Sequence, residues 1–344
     1  MVEGLRKPEE LMVIVVTLLA YGCPTQAIVH AFEIDERTVA RWQERAGQHC
    51  HKVHTDQVVQ ANLDLQHVQA DEIRGKGCQM IPWIAMAMMV STRLWLGGVV
   101  SLRRDRHLAD QLLGIVKACC LPLRAVLVLT DGWSAYPGSI RRAFREKVKP
   151  VGGRGRCALQ AWPEILIGTV IKKTAKKRVV EVIRRMAQGT LERANEVLSH
   201  TMGGKELNTA FIERFNGTMR ERLASLTRRC RHATRRVAAL EAGMWLVGCM
   251  YNWCWPHHEL SRRLAQAHGR KGEVLITPAM ASGLTDHIWS VREALTYRIA
   301  PPPWVAPKRR GRPKGSGPLA SSSSPARSRP LLRLRKGVLC ASTS

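Results

Sequence analysis

Apolar residues recur at helical spacing over residues 9–50, and the rhythm breaks at Gly22-Cys23-Pro24, a combination that stops a helix. Within this stretch residues 25–32 form one predicted helix and Glu33-Ile34-Asp35 a turn. Asp35 can then N-cap a further helix over residues 36–44. On that helix Val39 and Trp42 are expected to face inward, with Arg37, Ala40 and Arg41 outward. The spacing fits either an ordinary three-helix packing unit or a helix-turn-helix that offers Arg37 and Arg41 to a DNA major groove.

From residue 62 to about 182 the pattern alternates between strand and helix. Leu63, Leu65 and Val68 lead in strand-like alternation to Asp71. Residues 83–90 and 94–101 predict an antiparallel pair turning at Ser91-Thr92-Arg93, followed by a helix over about 107–119 that buries Leu108, Leu112, Ile115 and Val116. Beyond Pro122, the continuous apolar run of residues 125–129 predicts a central buried strand ending at Asp131. The charged run Ala175-Lys176-Lys177-Arg178 departs from a compact fifth strand. The fold class expected is α/β. Three strands, a helix and another strand match the opening order of a ribonuclease-H-like mixed sheet flanked by helices. In that order the first and fourth strands lie side by side, so Asp71 and Asp131 would be neighbours.

Residues 190–264 read as helical. At about 100° per residue, Ile212, Phe215, Met219, Leu223 and Leu226 share one face, and Glu213, Asn216, Gly217 and Arg220 form the adjacent stripe. From residue 301 onward Pro, Ser, Arg and Gly dominate, which predicts a disordered tail with too little apolar surface to offset chain entropy. The expected division is a helix-turn-helix domain over 1–50, a catalytic domain over 62–264, an extension over 265–300 and a basic tail over 301–344.

Charge narrows the partner. The 344 residues include 54 Lys plus Arg against 27 Asp plus Glu, a formal charge of +27, which points to a polyanion whose counterions are released on contact. The longest apolar stretches, residues 11–19 and 81–90, fall short of the roughly 20 residues a membrane span needs, and no secretory signal precedes them. Ten cysteines without a Cys-x-x-Cys pair favour reduced thiols and an intracellular, cytoplasmic and nucleoid-associated protein. His232, His257 and His258 lack cysteines at zinc-ligand spacing. Trp245, Trp253 and Trp255, with Tyr251, suit core packing better than base stacking, while Trp133 fits either a core role or a stack on a flipped base.

Three acids stand out in this cationic chain: Asp71, Asp131 and Glu213. Carboxylates brought together repel unless protonated or bridged by cations. Magnesium takes oxygen ligands and keeps several waters, and two metals can serve both the attacking and the leaving oxygen of an in-line displacement. Glu72, next to Asp71, is expected on the opposite face of its strand and outside the ligand set, although a register shift would exchange the two. By helical geometry alone Glu213 could equally pair with Arg214 or Arg220 on a solvated face.

Thr130-Asp131-Gly132-Trp133-Ser134-Ala135-Tyr136-Pro137 resembles the second-acid block of DDE-type insertion-sequence transposases. Asn208-Thr209-Ala210-Phe211-Ile212-Glu213-Arg214-Phe215-Asn216-Gly217-Thr218-Met219-Arg220 resembles their third-acid block, and Val68-Gln69-Ala70-Asp71-Glu72 the first. The tract from Thr277 to His287 is also similar to a segment of these enzymes. The resemblance implies that Asp71, Asp131 and Glu213 bind two magnesium ions, with manganese expected to substitute. It implies nicking of double-stranded DNA at element ends, then attack of the freed 3′ hydroxyl on target DNA, within a dimer or larger synaptic complex. Arg214, Asn216, Arg220 and Arg222 are expected on phosphates. Lys308-Arg309-Arg310-Gly311-Arg312-Pro313-Lys314 resembles an AT-hook, in which Arg310 and Arg312 would enter a narrow minor groove. Two rival readings remain: a non-catalytic DNA-binding regulator, and a ribonuclease-H-type nuclease.

Overall fold

In the computed structural model the described residues are 4, 7–77, 80–149, 152, 155–176, 178–227, 236–267, 274–301 and 304. The proposed AT-hook, with Arg310 and Arg312, the low-complexity tail and His232 lie outside them. Met1–Ile299 forms one contact unit.

The chain opens with α1 (Glu9–Ala20), α2 (Thr25–Phe32) and α3 (Glu36–Gln57). Asp35 caps α3 by accepting the backbone N–H of Arg37 at 2.8 Å. Val39 and Trp42 are buried, and Arg37, Ala40 and Arg41 are exposed. The expected end of α3 at Glu44 is a correction: the helix runs 22 residues. Its apolar stripe continues through the small residues Ala46, Gly47 and Cys50 to Val53, which a search for large apolar side chains passes over. At Gly47 an added Cβ would overlap the backbone of Ala242, so only glycine permits the approach.

The alternating region delivers β1 (His67–Arg74), β2 (Trp83–Met89), β3 (Trp95–Ser101), α4 (Arg106–Cys119), β4 (Val126–Asp131) and α5 (Ala135–Ala143). A separate hairpin of β5 (Arg145–Val148) and β6 (Ala158–Ala161) follows, then β7 (Ile165–Ala175) and β8 (Arg178–Gln188). Helices α6 (Leu191–His200), α7 (Ala210–Arg222), α8 (Val237–Trp253), α9 (His258–Ala267), α10 (Pro278–Ala281) and α11 (Val291–Thr296) complete the described elements. The main sheet is mixed, with six strands in the order β3-β2-β1-β4-β7-β8. β1, β4 and β7 are parallel and the other pairs antiparallel. The charged run at residues 175–178 falls where β7 gives way to β8.

The core forms around α8, which is apolar on nearly every side and is buried from Ala242 to Trp253. α8 is fastened to β3 by Asn252, whose Oδ1 accepts the Trp95 N–H at 2.9 Å while its Nδ2 donates to the Trp95 carbonyl at 2.9 Å. A buried amide can only be held this way, with both ends satisfied. Trp95 is fully buried, and a Cβ at Gly248 would overlap its ring. Nearby, His54 Nε2 donates to the Leu96 carbonyl at 3.0 Å. On the far side of β4 and β7 a smaller cluster of Leu127, Leu129, Leu166 and Val170 is closed by Ala194 and Leu198 of α6.

Two outcomes follow for stability. Gly248→Ala overpacks the contact with Trp95 and should cost about 1–3 kcal/mol of unfolding free energy in urea titration. Burial also holds the pKa of His54 down to about 4 and that of His67 down to about 3. The unfolded chain then takes up protons near pH 6.5 that the folded protein refuses, so the contribution of these two histidines is full above pH 6.5 and falls as pH drops towards 4. His54→Gln should remove about 1.4 kcal/mol per pH unit of that slope, read from chemical denaturation across the same window.

Candidate metal centre

β1 and β4 run parallel with Ala70 opposite Thr130, so the next residue of each strand is an aspartate at the same height. Gln69 pairs across to Leu129, and by strand alternation Asp71 and Asp131 continue that face. Asp71 is held from two directions. Its Oδ1 accepts the backbone N–H of Glu72 at 2.8 Å, and its Oδ2 accepts Nδ2 of Asn216 at 2.8 Å. Asp131 accepts the Trp133 N–H at 3.0 Å, a local turn that fixes the carboxylate at the strand end.

Helix α7 reaches this edge through a residue that the pattern of acids hides. Gln69 is fully buried, and its Oε1 accepts the first free N–H groups of α7, Phe211 at 3.0 Å and Ile212 at 3.1 Å. Its Nε2 donates to the Asn208 carbonyl at 2.8 Å. Two residues before Asp71, this side chain therefore caps α7 and sets its position on the sheet. The buried face of α7 is the expected one, Ile212, Phe215 and Met219, with Leu223 and Leu226 packing just beyond the helix end.

The acids gather differently from the expected triad. Asp71, Glu72 and Asp131 each offer an oxygen within 4.8 Å of the others. Glu72 was expected to be excluded by alternation. It does emerge on the other face, where it accepts the Tyr136 hydroxyl at 2.9 Å. Beyond the end of the β1–β4 pairing, however, Asp71 accepts the Glu72 amide, and oxygens of the two carboxylates come together. Arg104 is bound to Glu72 through Nε at 2.6 Å and lies 3.5 Å from Asp131 Oδ2. Its guanidinium rests 4.6 Å from the ring centre of Trp133, which stands edge-on to Tyr136. Trp133 thus supports the cation beside the acids, a role its sequence context left open.

Glu213 lies outside this cluster. Both its oxygens receive Lys172 Nζ, at 2.5 and 2.6 Å, and Thr209 Oγ1 donates to it at 2.5 Å. Its partner is thus a lysine of β7 and neither Arg214 nor Arg220. Glu213 nevertheless sits close enough for its charge to raise the pKa of both Asp71 and Asp131. Burial, then the charges of Glu72 and Asp131, pushes Asp71 up to about 7. Burial first and the neighbouring carboxylates second also raise Glu72 and Asp131.

The remaining expected residues separate by exposure. Arg37, Arg41 and Arg214 are exposed and Arg220 is half-buried. Asn216, expected on phosphate, is buried and committed to Asp71. Arg222 is enclosed between the rings of Tyr21 and Trp255. Trp245, Trp253 and Tyr251 are core residues. Among the described residues Cys23, Cys50, Cys119, Cys120, Cys157, Cys249 and Cys254 are free thiols.

The donor set suits a hard divalent cation. It consists of carboxylate oxygens crowded enough to raise each other's pKa, and the Asn216 Oδ1 beside them is buried without a donor. Among the described residues no helix is long and apolar enough to cross a membrane. Compared with protein-family models and with curated proteins, the sequence matches none.

The cost of the crowding can be measured. Asp71 is protonated in the folded protein up to about pH 7 but ionises near 3.8 when unfolded, so its contribution to stability is lost as pH rises from about 4 to 7. Asp71→Asn should therefore stabilise the metal-free protein at pH 8 by roughly 1–4 kcal/mol. The same substitution should shrink the rise in melting temperature that millimolar magnesium gives the wild type. A variant no more stable than wild type would refute the electrostatic account.

Proposed function

We propose that this protein is a DDE-type DNA transposase, in which Asp71, Asp131 and Glu213 serve metal-dependent cleavage at element ends and transfer of a 3′ hydroxyl to target DNA. The observation that carries the reading is the meeting of Asp71 and Asp131 where the parallel pairing of β1 and β4 ends, with α7 laid against the same place. The strand order β3-β2-β1-β4-β7, antiparallel then parallel, supports a ribonuclease-H-like domain. The exposed Arg37 and Arg41 on a helix capped by Asp35 support a helix-turn-helix in α2 and α3.

Divalent cations at the acids would activate the attacking oxygen and stabilise the leaving one. The chain's own part is positioning. Asn216 and the Glu72 amide orient Asp71, the turn at Trp133 orients Asp131, and Gln69 fixes the height of α7 and hence of Glu213. Arg104 and Lys172 hold the acids, and a metal ion bound there would compete with them for the carboxylates. A second ligand set, with Glu72 in place of Glu213, is favoured by the approach of its oxygen to Asp71 and Asp131. Phosphates of the bound DNA fall to Arg214 and Arg220, and the charge of +27 supplies long-range attraction.

The test uses purified protein, magnesium and DNA carrying the sequences that flank the coding region. Strand joining is expected with wild type, and Asp131→Asn should abolish it while leaving DNA affinity within about twofold. Joining that survives Asp131→Asn refutes the assignment, and cleavage of RNA–DNA hybrids without joining favours the nuclease instead. Glu72→Gln and Glu213→Gln, compared in the same assay, identify the third ligand by the greater loss.

A further inference from the structure

The hairpin of β7 and β8 does not end with the sheet that supports it. β4 stops at Asp131, opposite Val170, while β7 and β8 stay paired with each other from Ile171 opposite Ile183 to Ala175 opposite Arg178. Among the described residues no third strand covers this extension. Residues 171–175 of β7 carry it roughly 17 Å beyond β4, at the rise of an antiparallel strand. Residues 172–176 and 178–181 are exposed, so the ribbon buries neither of its faces in the core. Its base is fixed: a Cβ at Gly132, the residue after Asp131, would come within 2.8 Å of Ile171.

Two features call for a partner. A two-stranded ribbon without a packed face is only marginally stable in water. This one also shows apolar side chains to solvent, with Val179 54 % and Val180 64 % exposed. Val180 falls in the register shift between Lys173 and Thr174 and stands opposite no residue of β7. Charge decides what the partner is. Residues 172–185 hold seven Lys or Arg and one acid, Glu181. Glu181 is taken by Lys173 at 2.9 Å and Lys172 is held by Glu213, whereas no carboxylate among the described residues pairs with Lys176, Arg178 or Arg185. A second copy added to β8 would set these like charges against their own kind. A polyanion is the complementary surface.

Shape selects among polyanions. The major groove of B-form DNA, about 12 Å wide and 8.5 Å deep, admits a two-stranded ribbon, and there lysine and arginine reach guanine edges while apolar groups meet thymine methyls. The major groove of A-form RNA is too deep and narrow for side chains to read. Location agrees with DNA. The ribbon leaves β7 one residue after the partner of Asp131, and Lys172 at its base holds Glu213 at 2.6 Å, so a duplex gripped by it passes beside the acids. We infer that the β7–β8 ribbon enters the major groove of a DNA duplex, with Lys173, Lys176 and Arg178 on phosphates and base edges and the exposed valines against the groove floor. That this duplex is the substrate of the acids rests on the proposed function; the groove contact does not.

The test reads binding and contact separately from joining. Lys173→Ala, Lys176→Ala and Arg178→Ala together should weaken binding to a duplex of about 30 base pairs at least about tenfold at about 0.1 M salt, and should lower the slope of log affinity against log salt by about 2.7. All three side chains are exposed, so wild-type stability in urea is expected, and the same titration separates lost contact from lost fold. Benzoylphenylalanine placed at Val180 should photo-cross-link to the DNA. Wild type should protect guanine N7 from dimethyl sulfate at sites that the triple variant leaves reactive. An unchanged salt slope, N7 protection that survives the triple variant, or a cross-link from position 180 to a second protein chain in place of DNA overturns the inference. Protein that cross-links DNA through the ribbon yet joins none upholds the groove contact and removes only the transposase reading, whereas joining without the cross-link removes the ribbon alone.

Discussion

The parallel register of β1 on β4 is the constraint on which the site depends. A one-residue slip would carry Asp71 to the far face and replace it with Ala70 or Glu72, because side chains alternate along a strand. What pins the register is the burial on both faces. Val68 and Ala70 sit in the main core with Val128, while Leu127 and Leu129 fill the smaller cluster beneath α6. A slip would also withdraw Gln69 from α7 and leave two helix N–H groups and a buried amide unsatisfied. The acids are thus positioned by apolar and neutral contacts that cost nothing electrostatically.

The acids themselves work against folding. Burial and mutual repulsion raise all three of Asp71, Glu72 and Asp131, so the metal-free edge is a place of stored electrostatic strain. Arg104 and Lys172 relieve part of it. The Arg104–Asp131 and Lys172–Glu213 pairs join partly exposed side chains and are solvent-screened and individually weak, whereas Arg104 also bonds the buried Glu72.

Much of the scaffold was legible in the sequence because two periods dominate it. The alternation leading to Asp71, the pair around Ser91-Thr92-Arg93, the amphipathic α4 and the unbroken apolar run of β4 each follow from local pattern. So does the cap at Asp35, where a short acceptor precedes a helical stripe. The site was legible only in part. Asp131 ended a strand and Asp71 closed an alternating stretch, so both could be placed, although β1 in fact runs on to Arg74; Glu213 could not, since a helical acid says nothing of its partner until Lys172 of β7 arrives from 41 residues away. Gln69 and Arg104 were invisible for the same reason, acting across 142 and 32 residues. Alternation gave the correct face for Glu72 but not its reach, because beyond the end of β4 no strand among the described residues pairs with β1 on that side and the two carboxylates can approach each other. Gln69 did carry one signal: a polar residue on a buried face, in phase with Asp71, has to find a partner.

Under the proposed function, the opposing charges of the molecule couple its two ligands. A surface of net +27 draws phosphates in, but a cluster of carboxylates at the working edge repels the one phosphate that must come closest. Metal binding converts that edge from repulsive to attractive, and an approaching phosphate in turn offers the metal oxygen ligands that the few carboxylates leave open. Each ligand therefore strengthens the other by the same factor, as linkage requires. The Arg104–Asp131 and Lys172–Glu213 pairs would enter that coupling, since they neutralise the acids when neither ligand is present. Under that reading the strength of these ion pairs would set how readily the acids yield to a metal ion.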